Sequence, residues 1–313
     1  MKLLPSQRGH LYVLERARIY QRDGRVEYAS DEGRGPRGFN IPVANTCFVL
    51  LGPGSSITTE AVRQLKQEGV CVGFCGSGGT PLLAADDAYP DLLLPADEYR
   101  DPRPLQRWIE LWRCPARRLA AAKALAEARL EAIGEIWPKL DARPAFDPPG
   151  RRLEQARRSF ERARTTEELL GVEGSLTKDL YHHCARIAGI RNFERKQQAR
   201  DRGSDMTDPN RLLDRGNYLA YGLATVVCWT LGLPASLAVI HGRTRRGGLV
   251  FDVADVVKDA VILPLAFATA VRAVTEPVID VDFRAACLAA FVDRGALPAM
   301  FKAVEQAMDE AGC

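Results

Sequence analysis

The chain has 313 residues, 46% hydrophobic and 27% charged, and its 43 Lys and Arg against 40 Asp and Glu leave a net charge of +3. That length exceeds one ordinary core and suggests two domains, and the composition is that of a globular protein with no low-complexity tract or repeat. Charge so near balance says little about partners, so the placement of basic residues carries the information.

The amino terminus, MKLLPSQRGHLYVLERARIY, has no apolar core of signal-peptide length. Of eight cysteines, the closest pair, Cys71 and Cys75, lacks the two-residue spacing of zinc or thioredoxin motifs. Reduced thiols in a cytoplasmic protein are the expectation. HLYVLERARIYQ followed by RDGRVEYAS predicts a hairpin turning at Asp23-Gly24. NTCFVLLG and VCVGFCG are short apolar runs that suit buried strands. Between them, SSITTEAVRQLKQEG opens on capping hydroxyls, places Glu60 in its first turn and closes at Gly69, which marks a helix. GPGSS (52–56) and GSGGT (76–80) lack both phosphate-loop spacings and read as tight turns. Residues 1–97 thus form a β-rich domain with one helix, and the proline-bearing stretch 98–106 is a linker.

From 107 to 313 the pattern is helical. A helix over 105–137 is dense in alanine, leucine, arginine and glutamate, and its arginines read as a solvated amphipathic face. The loop ARPAFDPPG ends it. From Tyr218 to Ile240 there is no charge, a length that would just span a bilayer. Gly232 and Pro234 divide that stretch, so a buried helix is expected and no membrane span. The predicted fold class is α+β in two domains, β-rich first and all-α second.

Within TTEELLGVEGSLTKDLYHH, a helix capped by Thr165 or Thr166, Glu173 falls on the line of Leu169, Leu176 and Leu180. A carboxylate on an apolar stripe is expensive unless paired or metal-bound, so a buried ion pair with an arginine and a metal ligand stand as equal readings. In VIHGRTRRGGLVFDVADVVKD (239–259), Asp252, Asp255 and Asp259 recur at i, i+3 and i+7 with Val253, Val256, Val257 and Ala260 opposite, the pattern of a solvated face. His241, closing an apolar run, suits a core histidine. Taken together, carboxylates and an imidazole are what phosphodiester chemistry needs: they hold Mg²⁺ or Mn²⁺ and leave positions open for substrate. Arg243, Arg245 and Arg246 would meet phosphate oxygens. A second basic segment carries Arg186, Arg191, Arg195, Lys196, Arg200 and Arg202, and reads equally as an exposed helix end or an arm along a nucleic-acid backbone.

The order GVEGSLTK (171–178), DPNRLLDRGNYLAYGL (208–223) and VIHGRTRRGGLVFDVADVVKD closely resembles the CRISPR-associated spacer-acquisition integrases, the "Cas-one" family. RVEYASDEGR, FNIPVANTCFVLLGPGSSITTEAVRQL and GVCVGFCGSGGTPL follow the family's order in the amino-terminal half, and the extended GNYLAYGLA and HGRTRRGGLVFDVAD are most similar to its subtype I-F branch. The resemblance implies a β-rich dimerisation domain and a helical catalytic domain. It carries the family's metal residues onto Glu173, His241 and Asp255, with Asp252 as a supporting catalytic residue. It also carries the asparagine of the second motif onto Asn210. Asp259 matches no functional position and is expected to be wet surface. Lys178 and Arg211, inside the matched motifs, join Asn210, Arg191, Arg195, Lys196 and the 243–246 arginines as the expected DNA-contacting set. Where many members have N-Y-G-Y, this chain has Asp214, Arg215, Gly216 and Asn217 before Tyr218, so the family tyrosine has no counterpart at 217.

The implied reaction is transesterification joining prespacer 3′-hydroxyl ends to CRISPR repeat borders, with cleavage or disintegration of branched DNA beside it. The implied partners are double-stranded and branched DNA, a second copy of the chain, and the small protein "Cas-two", fused in subtype I-F to the interference helicase-nuclease. Two other readings use the same residues: a metal-dependent nuclease of branched DNA in repair, and a non-catalytic DNA-binding subunit.

Overall fold

The computed structural model describes residues 8, 10–30, 37–75, 91–93, 101–196, 206–242, 247–276, 278 and 280–312. The chain divides into two compact units, Met1–Asp101 and Pro102–Cys313. Strands lie in the first and long helices in the second, an α+β layout.

In the first unit, β1 (His10–Leu14), β5 (Thr46–Leu51), β7 (Cys71–Phe74) and β8 (Asp91–Leu93) make one sheet in that order. The other sheet runs β4 (Arg37–Ile41), β3 (Arg25–Ser30), β2 (Ala17–Arg22), β6 (Ser56–Ile57). β5 pairs in parallel with β1 and β7 and is buried along its whole length, which is why TCFVLL is apolar without alternation. The hairpin expected at Asp23-Gly24 is present: Arg22 pairs with Arg25, and both turn residues have positive φ, 48° and 74°, as a two-residue I′ turn requires. HLYVLERARIYQ is not one strand, however. Arg16 takes a φ of 49°, and the chain leaves the first sheet at Leu14 to enter the second at Ala17. α1 (Thr59–Gln67) starts where expected, the Thr58 hydroxyl accepting from the Ala61 N–H at 3.3 Å. Ile19, Val26, Ile41, Val49, Leu65 and Val72 meet in the core of this unit. The turn GSGGT lies outside the described residues.

The second unit contains α2 (Arg103–Arg113), α3 (Pro115–Ile136), α4 (Gly150–Arg162), α5 (Thr166–Ile187), α6 (Pro209–Thr230), α7 (Gly248–Arg272), α8 (Asp280–Asp293) and α9 (Ala296–Glu310). α2 begins inside the stretch read as a linker, because prolines at a helix start forfeit no hydrogen bond. The helix expected over 105–137 is two helices: Cys114 is extended (φ −95°, ψ 115°) and Pro115 opens α3 at its first position. The arginines of α3 are not all solvated, since Arg129 is buried among Ala122, Leu125, Ala126 and Ile133.

α7 is the axis of this unit, buried on nearly every side from Gly248 to Ala270. A helix apolar all round belongs in a core. α6 packs along it, and at Gly216 a Cβ would stand 2.4 Å from Ile262 Cγ2. The uncharged stretch ending at Ile240 is the second half of α6 and a turn at Gly232 (φ 71°). No helix among the described residues is long and apolar enough to cross a membrane.

Candidate active site

Asp252 lies in the second turn of α7, facing the non-helical segment that brings the chain in from α6. Its Oδ2 accepts from the N–H groups of Val239 and Ile240 (2.6 and 3.0 Å). Its Oδ1 accepts from the N–H of His241 (3.0 Å) and stands 2.6 Å from His241 Nδ1. Four bonds use the whole accepting capacity of a carboxylate, which is how an acid only 1% exposed is accommodated. A carboxylate can only accept, so Nδ1 donates, and a neutral ring then presents the lone pair of Nε2. Phe251 packs against that ring, and Tyr221 meets Phe251 edge-on.

Nε2 points at Asp255, one turn along α7, with Oδ2 3.8 Å away. The other oxygen of Asp255 accepts from Lys258 Nζ. Burial would raise the Asp255 pKa, but Lys258, Arg129 and His241 together hold it below the usual carboxylate range. Burial likewise opposes the Lys258 ammonium, yet Asp255 and Asp259 raise its pKa above the ordinary value.

Glu173, on α5, does form an ion pair, half-buried on its own side and buried on that of Arg129. Arg129 Nη1 donates to its Oε1 at 2.6 Å, and Thr177 donates to the same oxygen at 3.1 Å. Arg129 Nη2 donates to Thr177 Oγ1 at 2.6 Å and to Asp259. Burial disfavours the guanidinium, but Asp259, Glu173 and Asp255 raise its pKa above the ordinary value. One cation from α3 thus ties together acids of α5 and α7.

Asp259 is therefore not wet surface: it is 2% exposed, and Asp252 and Asp255 are buried with it. The i, i+3, i+7 spacing imitates a solvated face, but each acid has its own compensation, in backbone N–H groups, Lys258 or Arg129. Sequence reasoning passed over Arg129, Lys258 and Thr177. Arg129 had a legible signal, since it falls on the stripe of Ala122, Ala126, Ile133 and Ile136, as Glu173 does on its own helix.

The residues expected to meet DNA are distributed differently. Lys178, Arg191 and Lys196 are exposed. Asn210 and Arg211 are buried at the start of α6. Asn210 Oδ1 accepts from the Lys196 N–H (2.8 Å) and from Arg195 (3.2 Å), and its Nδ2 donates to the Glu194 carbonyl (3.1 Å). Asn210 thus fastens the basic segment to α6, and Arg195 is further held by Asp214. Arg243, Arg245 and Arg246, with Arg200 and Arg202, lie outside the described residues. His183 is engaged by the Asp147 carbonyl at 2.8 Å and stacks on Trp137, while His182 is exposed.

Carboxylates and an imidazole suit Mg²⁺ or Mn²⁺. His241 Nε2 and Asp255 Oδ2 are close enough to share one ion at about 2.1 Å from each. Among the described residues no three His, Cys, Asp or Glu side chains are gathered to enclose an ion, and Glu173 is bonded to Arg129. The His241–Asp255 pair could take a cation.

A strand-built unit followed by a helical unit with a polar centre buried on its axial helix defines a two-domain α+β protein. The chain belongs to the Cas1 family: the family model described as CRISPR associated protein Cas1 matches residues 11–285. It is 46% identical to the CRISPR-associated endonuclease Cas1 of Pseudomonas aeruginosa (strain UCBPP-PA14), over 91% of this chain and 88% of that one. To the protein of the same description from Pectobacterium atrosepticum it is 42% identical, over 97% and 93%. Its fold is similar to that of the TtCas1–DNA complex, with a TM-score of 0.66 and 24% identity over 98% of this chain and 99% of that one. A casposase bound to integration product aligns with a TM-score of 0.63 and 15% identity, over 96% and 90%.

Proposed function

We propose that this protein is a divalent-metal-dependent DNA strand transferase of CRISPR adaptation, of the subtype I-F branch. A prespacer 3′-hydroxyl gives up its proton and bonds to the phosphorus of a phosphodiester at a repeat border. The ester bond on the repeat strand breaks, and the displaced 3′-oxygen takes up a proton, once on each strand. The observation that carries this reading is the fixed imidazole of His241, held through Nδ1 by Asp252 with Nε2 directed at Asp255. Relatives 46% and 42% identical along most of their length are named endonucleases, which supports phosphodiester chemistry on nucleic acid.

His241, Asp255 and Glu173 would hold Mg²⁺ or Mn²⁺, with Asp252 supporting. Such an ion would polarise a phosphoryl oxygen and align the attacking hydroxyl. The chain's own part is positioning and charge, with no covalent intermediate. Asp252 fixes the ring, Lys258 balances Asp255, and Arg129 holds Glu173 in place. Exposed Lys178, Arg191 and Lys196 and the arginines of 243–246 would bind the phosphate backbone. The working assembly would be a homodimer in the cytoplasm, bridged to a second dimer by "Cas-two".

The test is an integration assay with a 3′-hydroxyl prespacer, "Cas-two" and a supercoiled plasmid carrying the repeat, in Mg²⁺ or Mn²⁺. Joined strands are expected, and they should be lost with a 3′-deoxy prespacer and with Glu173→Ala, His241→Ala or Asp255→Ala. Cleavage without joining would favour a repair nuclease. Full joining by the variants would mean a non-catalytic subunit.

A further inference from the structure

We propose that Trp108 and Trp112 are positioning residues for His241, an inference that rests on the proposed function. They sit one turn apart on α2, so both indoles face the same way. Trp108 Nε1 donates to the carbonyl of Leu237 at 2.9 Å, and Trp112 Nε1 donates to the carbonyl of Ala238 at 2.8 Å. Those carbonyls belong to the segment that delivers His241.

The Ala238 carbonyl and the Val239 N–H are the two ends of one planar peptide group. Trp112 holds the oxygen end, and Asp252 Oδ2 holds the N–H end at 2.6 Å. A rigid plane bonded at both ends is restrained from rotating. The next two N–H groups, of Ile240 and His241, are bonded to the same Asp252 carboxylate, so the clamp is continuous to the imidazole. The segment is also pressed onto the start of α7: a Cβ on Gly248 would stand 2.7 Å from Ala238 Cβ, and the Leu249 N–H reaches the Ala235 carbonyl at 3.0 Å. The acid alone pulls the segment toward α7 from one side. The indoles supply the opposing bonds that fix its tilt, and with it the direction of Nε2.

Trp112 is half-buried, whereas Trp108 is completely buried, so Trp112→Phe is the variant of choice. It keeps an aromatic ring and removes the N–H. The chain has four histidines, so ¹⁵N-histidine spectra are simple, and His241→Asn assigns the signal of interest. Trp112→Phe is expected to shift or split the His241 ring signals and to slow strand transfer about 10- to 100-fold with KM for DNA unchanged, as misplacing a catalytic group does. Unmoved His241 signals in the folded variant would overturn the proposal, and so would moved signals with wild-type turnover. Where Trp112→Phe does not fold, the wild-type indole decides. A Trp112 N–H slow to exchange with solvent is expected, and rapid exchange would sink the clamp. His241→Ala separates the two levels: if it retains strand transfer, the site assignment fails while the spectra still report on the clamp.

Discussion

Arg129 and Asp259 stand 130 residues apart in the chain and form an ion pair whose side chains are each only 3% exposed. Removing Asp259 leaves the buried Arg129 bonded to one acid, Glu173, instead of two. Asp259→Ala is therefore expected to cost about 1–3 kcal/mol in urea unfolding. Replacing both partners, Arg129→Met with Asp259→Leu, should cost much less than the two single changes summed. A single-variant loss within about 0.5 kcal/mol, as at an exposed position, would mean that Asp259 is surface after all.

Glu173 is both the ion-pair partner of Arg129 and the proposed third metal donor, and Glu173→Gln separates these roles. The amide oxygen still accepts from Arg129 and Thr177, so the fold should survive. A neutral amide is a poor ligand for a hard cation, and strand transfer and Mn²⁺ affinity should each fall by at least about 100-fold. Isothermal titration with Mn²⁺ beside the integration assay reads both. Wild-type values in both would leave Glu173 with the ion pair alone.

Much of this site was legible in the sequence for a simple reason: a charged residue on an apolar stripe is conspicuous. Glu173 among Leu169, Leu176 and Leu180 was found that way, and Arg129 on α3 could have been. Asp259 could not be placed by its own spacing, because the three acids of α7 mimic a wet face. The better signal was the uncharged run AVILPLAFATAV that follows it, which marks a helix buried on all sides. The clamp of Trp108 and Trp112 left no trace at all. It joins indoles to backbone carbonyls 126 and 129 residues away, and only the packed unit brings them together. In the first unit the hairpin was readable from Asp23-Gly24, whereas the change of sheet at Arg16 was not, since nothing but its positive φ marks the break.

The depressed pKa of Asp255 gives a pH dependence of defined sign. A carboxyl whose folded pKa lies below its ordinary value of 3.8 stabilises the fold above that value. The contribution is lost as pH falls through the folded pKa, on protonation of the partner of Lys258. Stability should thus lose this contribution only below about pH 4. Asp255→Asn has no such group, so its unfolding free energy should fall less steeply between about pH 4 and pH 2. Parallel acid limbs for the two proteins would show that Asp255 is not held in its charged form by the cations around it.

Gly216, at the contact of α6 with α7, decides how closely the axial helix is gripped. A methyl there would meet Ile262 Cγ2 at 2.4 Å and Phe283 Cζ at 3.3 Å, too near for either to remain in place. Alanine is the better helix former by about 0.8–1.0 kcal/mol, so on an open helix face Gly216→Ala would stabilise. Here overpacking at about 1–3 kcal/mol opposes that gain, and net destabilisation is expected. Ile262→Val should not relieve it, because valine keeps the offending Cγ2. Ile262→Ala removes that carbon, and the double variant should lose less than the sum of its singles in thermal unfolding. Asp252 and Asp255 share a helix with Ile262, whose side chain must shift to admit the methyl. Strand transfer by Gly216→Ala is thus expected to fall at temperatures where the protein remains folded, and to recover in part with Ile262→Ala.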